Sequence, residues 1–399
     1  MAVAWFRKLG LERRVGALAV ALFVYGFGQE LWFRYLPEYL RVLGASAFTV
    51  GAFGTMKDLL DAAYAYPGGV ASDRLGSRDA LLLFGILSAA GFGLYLVWSS
   101  VPALFCGLVL VMAWPSLGLP ATFALVGEEL RGGRRIVGFT VQAVLKRIPI
   151  VLAPPLGGLL IQRLGMRTGL RAGFAVSVVL ATAMLVALRR AFRDENRAAD
   201  LHEKAPKPSV RLHRSLRRLL IADCLVRLCE GLPDVFLVIW ALEIVRISPL
   251  QFGLLTSVLM GTAILSYVPA AALAERAEKK RFVVLTYLFF TLFPLAVVLS
   301  RSFGSLALAY VIGGLREIGE PARKTLIVDL AEPPLRGRTV GLYYSIRGFA
   351  VAGAAAIGGA LWTVRPALTF AVAAGLGALG TLFAAAFLPP TSRGPAGVD

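Results

Sequence analysis

Residues 69–78 read Gly69-Val-Ala-Ser-Asp73-Arg74-Leu-Gly76-Ser77-Arg78 and separate two apolar runs, 47–70 and 79–98. The ten residues, with three charges and two glycines, form a polar turn. The flanking runs have the length that decides the fold. A hydrocarbon core about 30 Å thick takes about 20 apolar residues in helix, because lipid offers no partner to an unpaired backbone group. Reading outward from this turn adds runs near 15–40, 103–126, 136–162, 170–189, 219–244, 250–273, 282–300, 304–328, 339–362 and 367–388, twelve in all. The first carries Glu30 and Arg34 and has no small-residue cleavage site, so it reads as a span and not a signal peptide. The expected fold is an all-α membrane protein with twelve transmembrane helices.

The turn has a second, degenerate copy at 271–280, Ala-Ala-Leu-Ala-Glu275-Arg276-Ala-Glu-Lys-Lys280. Gly51 and Gly253, Pro67 and Pro269, Asp73 and Glu275, and Arg78 and Lys280 each stand 202 apart. Pro120 with Pro321 and Glu128 with Asp329 follow at 201, and Arg135 with Arg338 and Gly138 with Gly341 at 203. A near-constant offset across four spans implies a duplicated six-helix unit. The polar stretch 189–218, with Pro206 and Pro208, is the composition break between the copies. The expected domains are an amino-terminal bundle at 1–190, a cytoplasmic connector at 191–218 and a carboxy-terminal bundle at 219–399.

Composition agrees with a membrane chain. Of 399 residues 57% are hydrophobic and 17% charged, and the mean hydropathy is +0.72. A soluble domain is about 45–50% apolar and about 25% charged, which makes a water-soluble enzyme a poor fit. With the amino terminus inside, 26 of the 42 Lys and Arg fall in cytoplasmic segments and 7 in outer ones. That bias obeys the positive-inside rule and places both termini in the cytoplasm, in a plasma (inner) membrane. The net charge of +18 then matches anionic lipid headgroups, with no nucleic-acid partner implied. Three cysteines exclude a disulfide framework, and His202 and His213 both lie in the polar stretch. No metal site, cofactor, ATP-binding phosphate loop or catalytic cluster is expected.

The turn at 69–78 resembles the G-x-x-x-D-R-x-G-R/K-R/K loop between helices two and three of the major facilitator superfamily, with Ser77 in place of a second base. With the twelve spans and the repeat, the resemblance covers the whole chain. It implies a gating set of Gly69, Asp73, Arg74, Gly76, Arg78 and Glu128, with second-half counterparts Glu275, Arg276 and Asp329. In such a set the carboxylate caps a neighbouring helix and Arg74 pairs with an acid to hold the cytoplasmic side closed. Span five, with Pro149, Ala153, Pro154, Gly157 and Gly158, is similar to the family's antiporter motif at three of five positions. Span four lacks the arginine usual in its drug/proton antiporters.

Charges at membrane depth cost about 2.5–3.5 kcal/mol each on insertion scales, so they should face a wet cavity or one another. Seven bases (Arg34, Lys57, Lys146, Arg147, Arg227, Arg316, Arg347) and seven acids (Glu30, Asp58, Asp61, Glu230, Asp234, Glu317, Glu320) lie within the expected spans. Lys57 with Asp61, Arg316 with Glu320, and Arg227 with Glu230 and Asp234 have helical spacing. All fall on spans one, two, five, seven, ten and eleven. The family resemblance implies that these line or flank a central cavity. The acids are proton-coupling candidates or structural ion-pair partners, and both readings stay open. The bases, with Gln29, Trp114, Trp240 and Tyr343, are substrate-cavity candidates.

The resulting expectation is a monomeric secondary transporter of a small organic solute, proton-coupled, working by rocker-switch alternating access. Drug efflux by antiport and uptake of a polar or charged metabolite by symport are its two variants. A membrane-embedded lipid enzyme or lipid flippase is the reading from another class, and the missing catalytic cluster counts against it.

Overall fold

An apolar chain in lipid satisfies its backbone only within helices or closed barrels, and among the described residues every regular element is helical. The computed structural model describes residues 13–118, 122, 133–191, 212–276, 278–330 and 336–388. The first half runs α1 (Arg13–Glu30), a 3₁₀ turn (Phe33–Tyr35), α2 (Leu36–Val42), α3 (Ala47–Leu75), α4 (Ser77–Val97), α5 (Val101–Val111), a π turn (Ala113–Leu117), α6 (Gly133–Leu164) and α7 (Met166–Ala191). The second runs α8 (Arg214–Gly231), a 3₁₀ turn (Asp234–Phe236), a single α turn (Leu237–Ile239), a π turn (Trp240–Ile244), α9 (Pro249–Arg276), α10 (Lys279–Leu299), α11 (Phe303–Leu315), α12 (Glu320–Asp329), α13 (Arg336–Ala352), α14 (Ala354–Val364) and α15 (Pro366–Phe387). Among the described residues, six stretches are long and apolar enough to cross a membrane: Arg78–Val97, Met166–Ala191, Pro249–Ser266, Lys279–Leu299, Thr339–Val364 and Pro366–Phe387.

The duplication is visible in the helix ends. The helices Ser77–Val97 and Lys279–Leu299 lie 202 residues apart at both ends. Ser100 and Ser302, also 202 apart, cap the next helices through their hydroxyls.

Spans one, four, seven and ten are not the continuous helices expected. Span one stops at Glu30 and resumes through the 3₁₀ turn at Phe33; span seven stops at Gly231 and resumes at Asp234, 201 residues on at each point. Pro233 has no backbone N–H to continue the helix in span seven. Span ten is broken by turns at 316–319, and span four passes into the π turn around Pro115.

The breaks are seated by close backbone approaches. A Cβ on Gly157 would lie 1.7 Å from the Leu31 carbonyl oxygen, and one on Gly358 would lie 2.1 Å from that of Leu232. Both glycine–carbonyl pairs again differ by 201. Gly157 of span five thus serves as a seat for the break in span one.

By packing, the chain divides into two compact units, Met1–Ala45 with Lys57–Ala205 and Ser248–Gly253, and Ser46–Met56 with Pro206–Ile247 and Leu254–Asp399. The connector 191–218 falls mostly outside the described residues. In the first unit Trp32 is packed by Phe92, Tyr95 and Phe174, and its Nε1 donates to Ser177 Oγ at 2.8 Å. In the second, Trp240 and Phe236 pack on Trp362, and Trp240 also on Phe370.

Candidate functional site

One face of α8 carries Asp223, Arg227 and Glu230, spaced i, i+4, i+7 and ending at the break in span seven. Across the same unit, the break in span ten releases Arg316 and starts α12 with Glu320 and Arg323. Tyr343 and Arg347 project from α13. These groups join in one line of alternating charge.

Arg347 Nη1 donates to Asp223 Oδ2 at 3.2 Å, and Arg323 Nη1 donates to the same oxygen at 2.6 Å. Arg323 then grips Glu320 through Nε at 3.1 Å and Nη2 at 2.8 Å. Arg227 bridges Glu320 at 2.7 Å and Glu230 at 2.6 Å, and Arg316 closes the line 3.4 Å from Glu230. The hydroxyls of Tyr343 and Tyr287 donate to Asp223 at 3.0 and 3.4 Å. Phe290 lies under both Arg227 and Arg316.

The middle of the ladder is dry. The side chains of Asp223 and Arg323 are 1% and 2% exposed, whereas Glu230 at 30% is the most open of the three acids. Isolated charges do not survive such burial, so each must be held by opposite charges and hydrogen bonds.

Two of the pairs with helical spacing do not meet. Arg316 and Glu320 do not pair as i, i+4, because the turns at 316–319 interrupt the helix between them; Arg316 reaches Glu230 and Glu320 takes Arg227 and Arg323. Lys57 pairs with its neighbour Asp58 at 3.2 Å, while Asp61 accepts from Ser116 Oγ at 2.6 Å, on the π turn of span four. Asp234 falls beyond the break, on the 3₁₀ turn, outside the ladder. Glu317 lies in the turns at 316–319 and Arg147 is half-buried on α6.

In span one, Arg34 pairs with Glu30 at 3.1 Å, one turn from the half-buried Gln29. Trp114, Trp240 and Tyr343 are buried at 3%, 4% and 0% exposure, so their rings are packed by neighbours and not offered to a solute. Asp223 and Arg323 were not among the expected site residues. Their helical spacing to Arg227 and Glu320 is the signal that would have found them.

The polar turn at 69–78 is built as two helix ends. The last turn of α3 holds Asp73 and Arg74, and Arg78 lies beside Asp79 in the first turn of α4. Between them Gly76 has φ +81°, and Gly69 lies on the last turns of α3. In the second half Lys279 Nζ donates to Asp329 Oδ2 at 2.6 Å, joining the turn to the carboxyl end of α12. Glu128 lies outside the described residues, as do the side chains of Asp73, Lys146, Glu275 and Arg276. Space around Gly76 is open, so only its backbone, at φ +81° and ψ 151° in a region essentially reserved for glycine, resists a side chain. Gly76→Ala is expected to cost about 1–3 kcal/mol, read by denaturant unfolding of the detergent-purified protein.

The family model described as Major Facilitator Superfamily matches residues 18–226 and 219–399. Sugar efflux transporter A of Escherichia coli K12 is 26% identical over 284 residues, 67% of this chain and 69% of that one. An uncharacterised transporter of the Major Facilitator Superfamily type from Mycobacterium tuberculosis is 28% identical over 189 residues, and the match spans less than half of each chain, 47% of this one and 45% of that one. Among solved structures, a POT family transporter in complex with a thioalcohol-conjugated peptide superposes with a TM-score of 0.77 at 16% identity, over 94% of this chain and 95% of that one.

Proposed function

Because the chain belongs to the Major Facilitator Superfamily, we propose that it carries a small organic solute by proton-coupled alternating access, its two six-helix halves moving against each other. It is a multi-pass membrane transporter and not an enzyme. The reading places it as a monomer in the plasma membrane with both termini cytoplasmic. The observation that carries it is the ladder at the breaks in spans seven and ten. Interrupted helices free backbone groups in mid-course, which membrane folds tolerate only where protein or water takes them up.

Proton and guanidinium compete for the same carboxylate. Glu230 takes a proton only when Arg227 or Arg316 lets go, so protonation and rearrangement of the break are one event. Its greater exposure makes Glu230 the entry point among the ladder acids, and Asp58, Asp61, Glu30, Asp234 and Glu317 remain lesser candidates. A second reading, export of a neutral sugar, is favoured by the match to sugar efflux transporter A.

The test is flux in proteoliposomes under an imposed pH gradient, with labelled sugars, amino acids and organic acids. Gradient-driven accumulation of one class is expected. Glu230→Gln should abolish the dependence on the gradient while leaving exchange at equal pH. Gradient-driven flux that survives Glu230→Gln unchanged would remove Glu230 from coupling.

A further inference from the structure

The ladder contains four guanidiniums, of Arg347, Arg323, Arg227 and Arg316, and three carboxylates, of Asp223, Glu320 and Glu230. It begins and ends on a base and holds one positive charge in excess. A guanidinium presents five N–H donors in a rigid fork. The inner Arg323 commits Nε, Nη1 and Nη2 to carboxylates. The outer residues are spent differently. Arg316 gives Nε to the Gly313 carbonyl and is covered by the Phe290 and Phe293 rings, each 4.8 Å away. Arg347 gives one hydrogen bond to Asp223, lies on the Tyr344 ring at 4.6 Å and keeps a fifth of its side chain exposed.

Resting on the transporter reading above, we propose that the solute is an organic anion whose charged group docks on Arg347, in competition with Asp223. The unspent edge of the fork matches a carboxylate or phosphate, which Arg binds through two parallel N–H bonds. An anion there neutralises the excess charge of the ladder. Asp223 does not become stranded when Arg347 turns away, since Arg323 and Tyr343 still hold its Oδ2. The same move removes one of the two links from α13 to Asp223 on α8, leaving that of Tyr343, and so ties occupancy to the packing of span eleven on span seven.

The test uses the full-length protein, purified in detergent in chloride-free buffer, with thermal-shift titrations of glutarate, benzoate and glucose 6-phosphate beside glucose, lactose and tetraphenylphosphonium. At least one anion is expected to raise the melting temperature saturably, and the neutral and cationic probes are expected to leave it unchanged. Arg347→Gln should weaken the binding of that anion at least tenfold. Arg347→Lys, which keeps the charge and loses the fork, should weaken it at least threefold and serves alone if Arg347→Gln is not monodisperse. The proposal is overturned if none of the anions shifts the melting temperature, if a neutral or cationic probe does so in their place, or if anion affinity is unaltered in these variants. A neutral sugar that binds and is carried in proteoliposomes would remove the anion and leave the transporter; absence of flux for every solute class would remove the transporter reading itself.

Discussion

Asp223→Asn is expected to destabilise the protein by about 3–5 kcal/mol, the range for breaking a buried ion pair from one side. Asp223 accepts hydrogen bonds from two guanidiniums and two phenolic hydroxyls, and a third guanidinium, that of Arg227, lies 3.9 Å away. The amide keeps the shape and loses the charge, which leaves Arg323 shared with Glu320 alone and Arg347 without a carboxylate. The cost is the desolvation of guanidiniums no longer paid back by attraction. Denaturant unfolding in detergent measures it. The double variant Asp223→Asn with Arg323→Gln should cost less than the two single changes added, with a coupling of about 0.5–3 kcal/mol. Additive costs would mean that the two groups do not hold each other.

The second large effect belongs to the glycines at the breaks. Gly157→Ala and Gly358→Ala should each cost about 1–3 kcal/mol or more, the range for overpacking a close-packed site. The obstructing atom is a backbone carbonyl of Leu31 or Leu232 in each case, and no side-chain rotation relieves it. Gly261, also on a helix, faces open space, and Gly261→Ala should be neutral or stabilising by about 0.5–1 kcal/mol. Unfolding of the three variants under one condition checks this. Equal effects at 157, 358 and 261 would mean that helix propensity, and not the carbonyl contact, sets the cost.

Much of this was legible in the residues. The apolar runs and the 202-residue offset carry the helical architecture and its duplication, because burial in lipid leaves the backbone few options. The spacing of Arg227 and Glu230 put them on one face. The breaks were hidden, since apolar residues such as Leu31 and Leu232 continue the hydropathy pattern straight through them. Once span ten is interrupted, i, i+4 arithmetic across 316–320 no longer applies, and that misassigned the partners of Glu320. Asp223 and Arg323 lie nearer the ends of their spans, where a charge looks like an interfacial residue; only the tertiary contacts show that they are buried. Trp114 and Trp240 look like stacking surfaces in sequence, and neighbouring rings take up both.

The central claim is that the ion-paired ladder at the breaks of spans seven and ten is the working part of a carrier. Counterflow in proteoliposomes, with no gradient imposed, tests it most directly. For the solute that the flux screen identifies, wild-type protein should exchange label saturably and Arg227→Gln, which cuts the ladder at Glu320 and Glu230, should exchange it at least tenfold more slowly at equal protein content. Exchange by Arg227→Gln at the wild-type rate would contradict the claim.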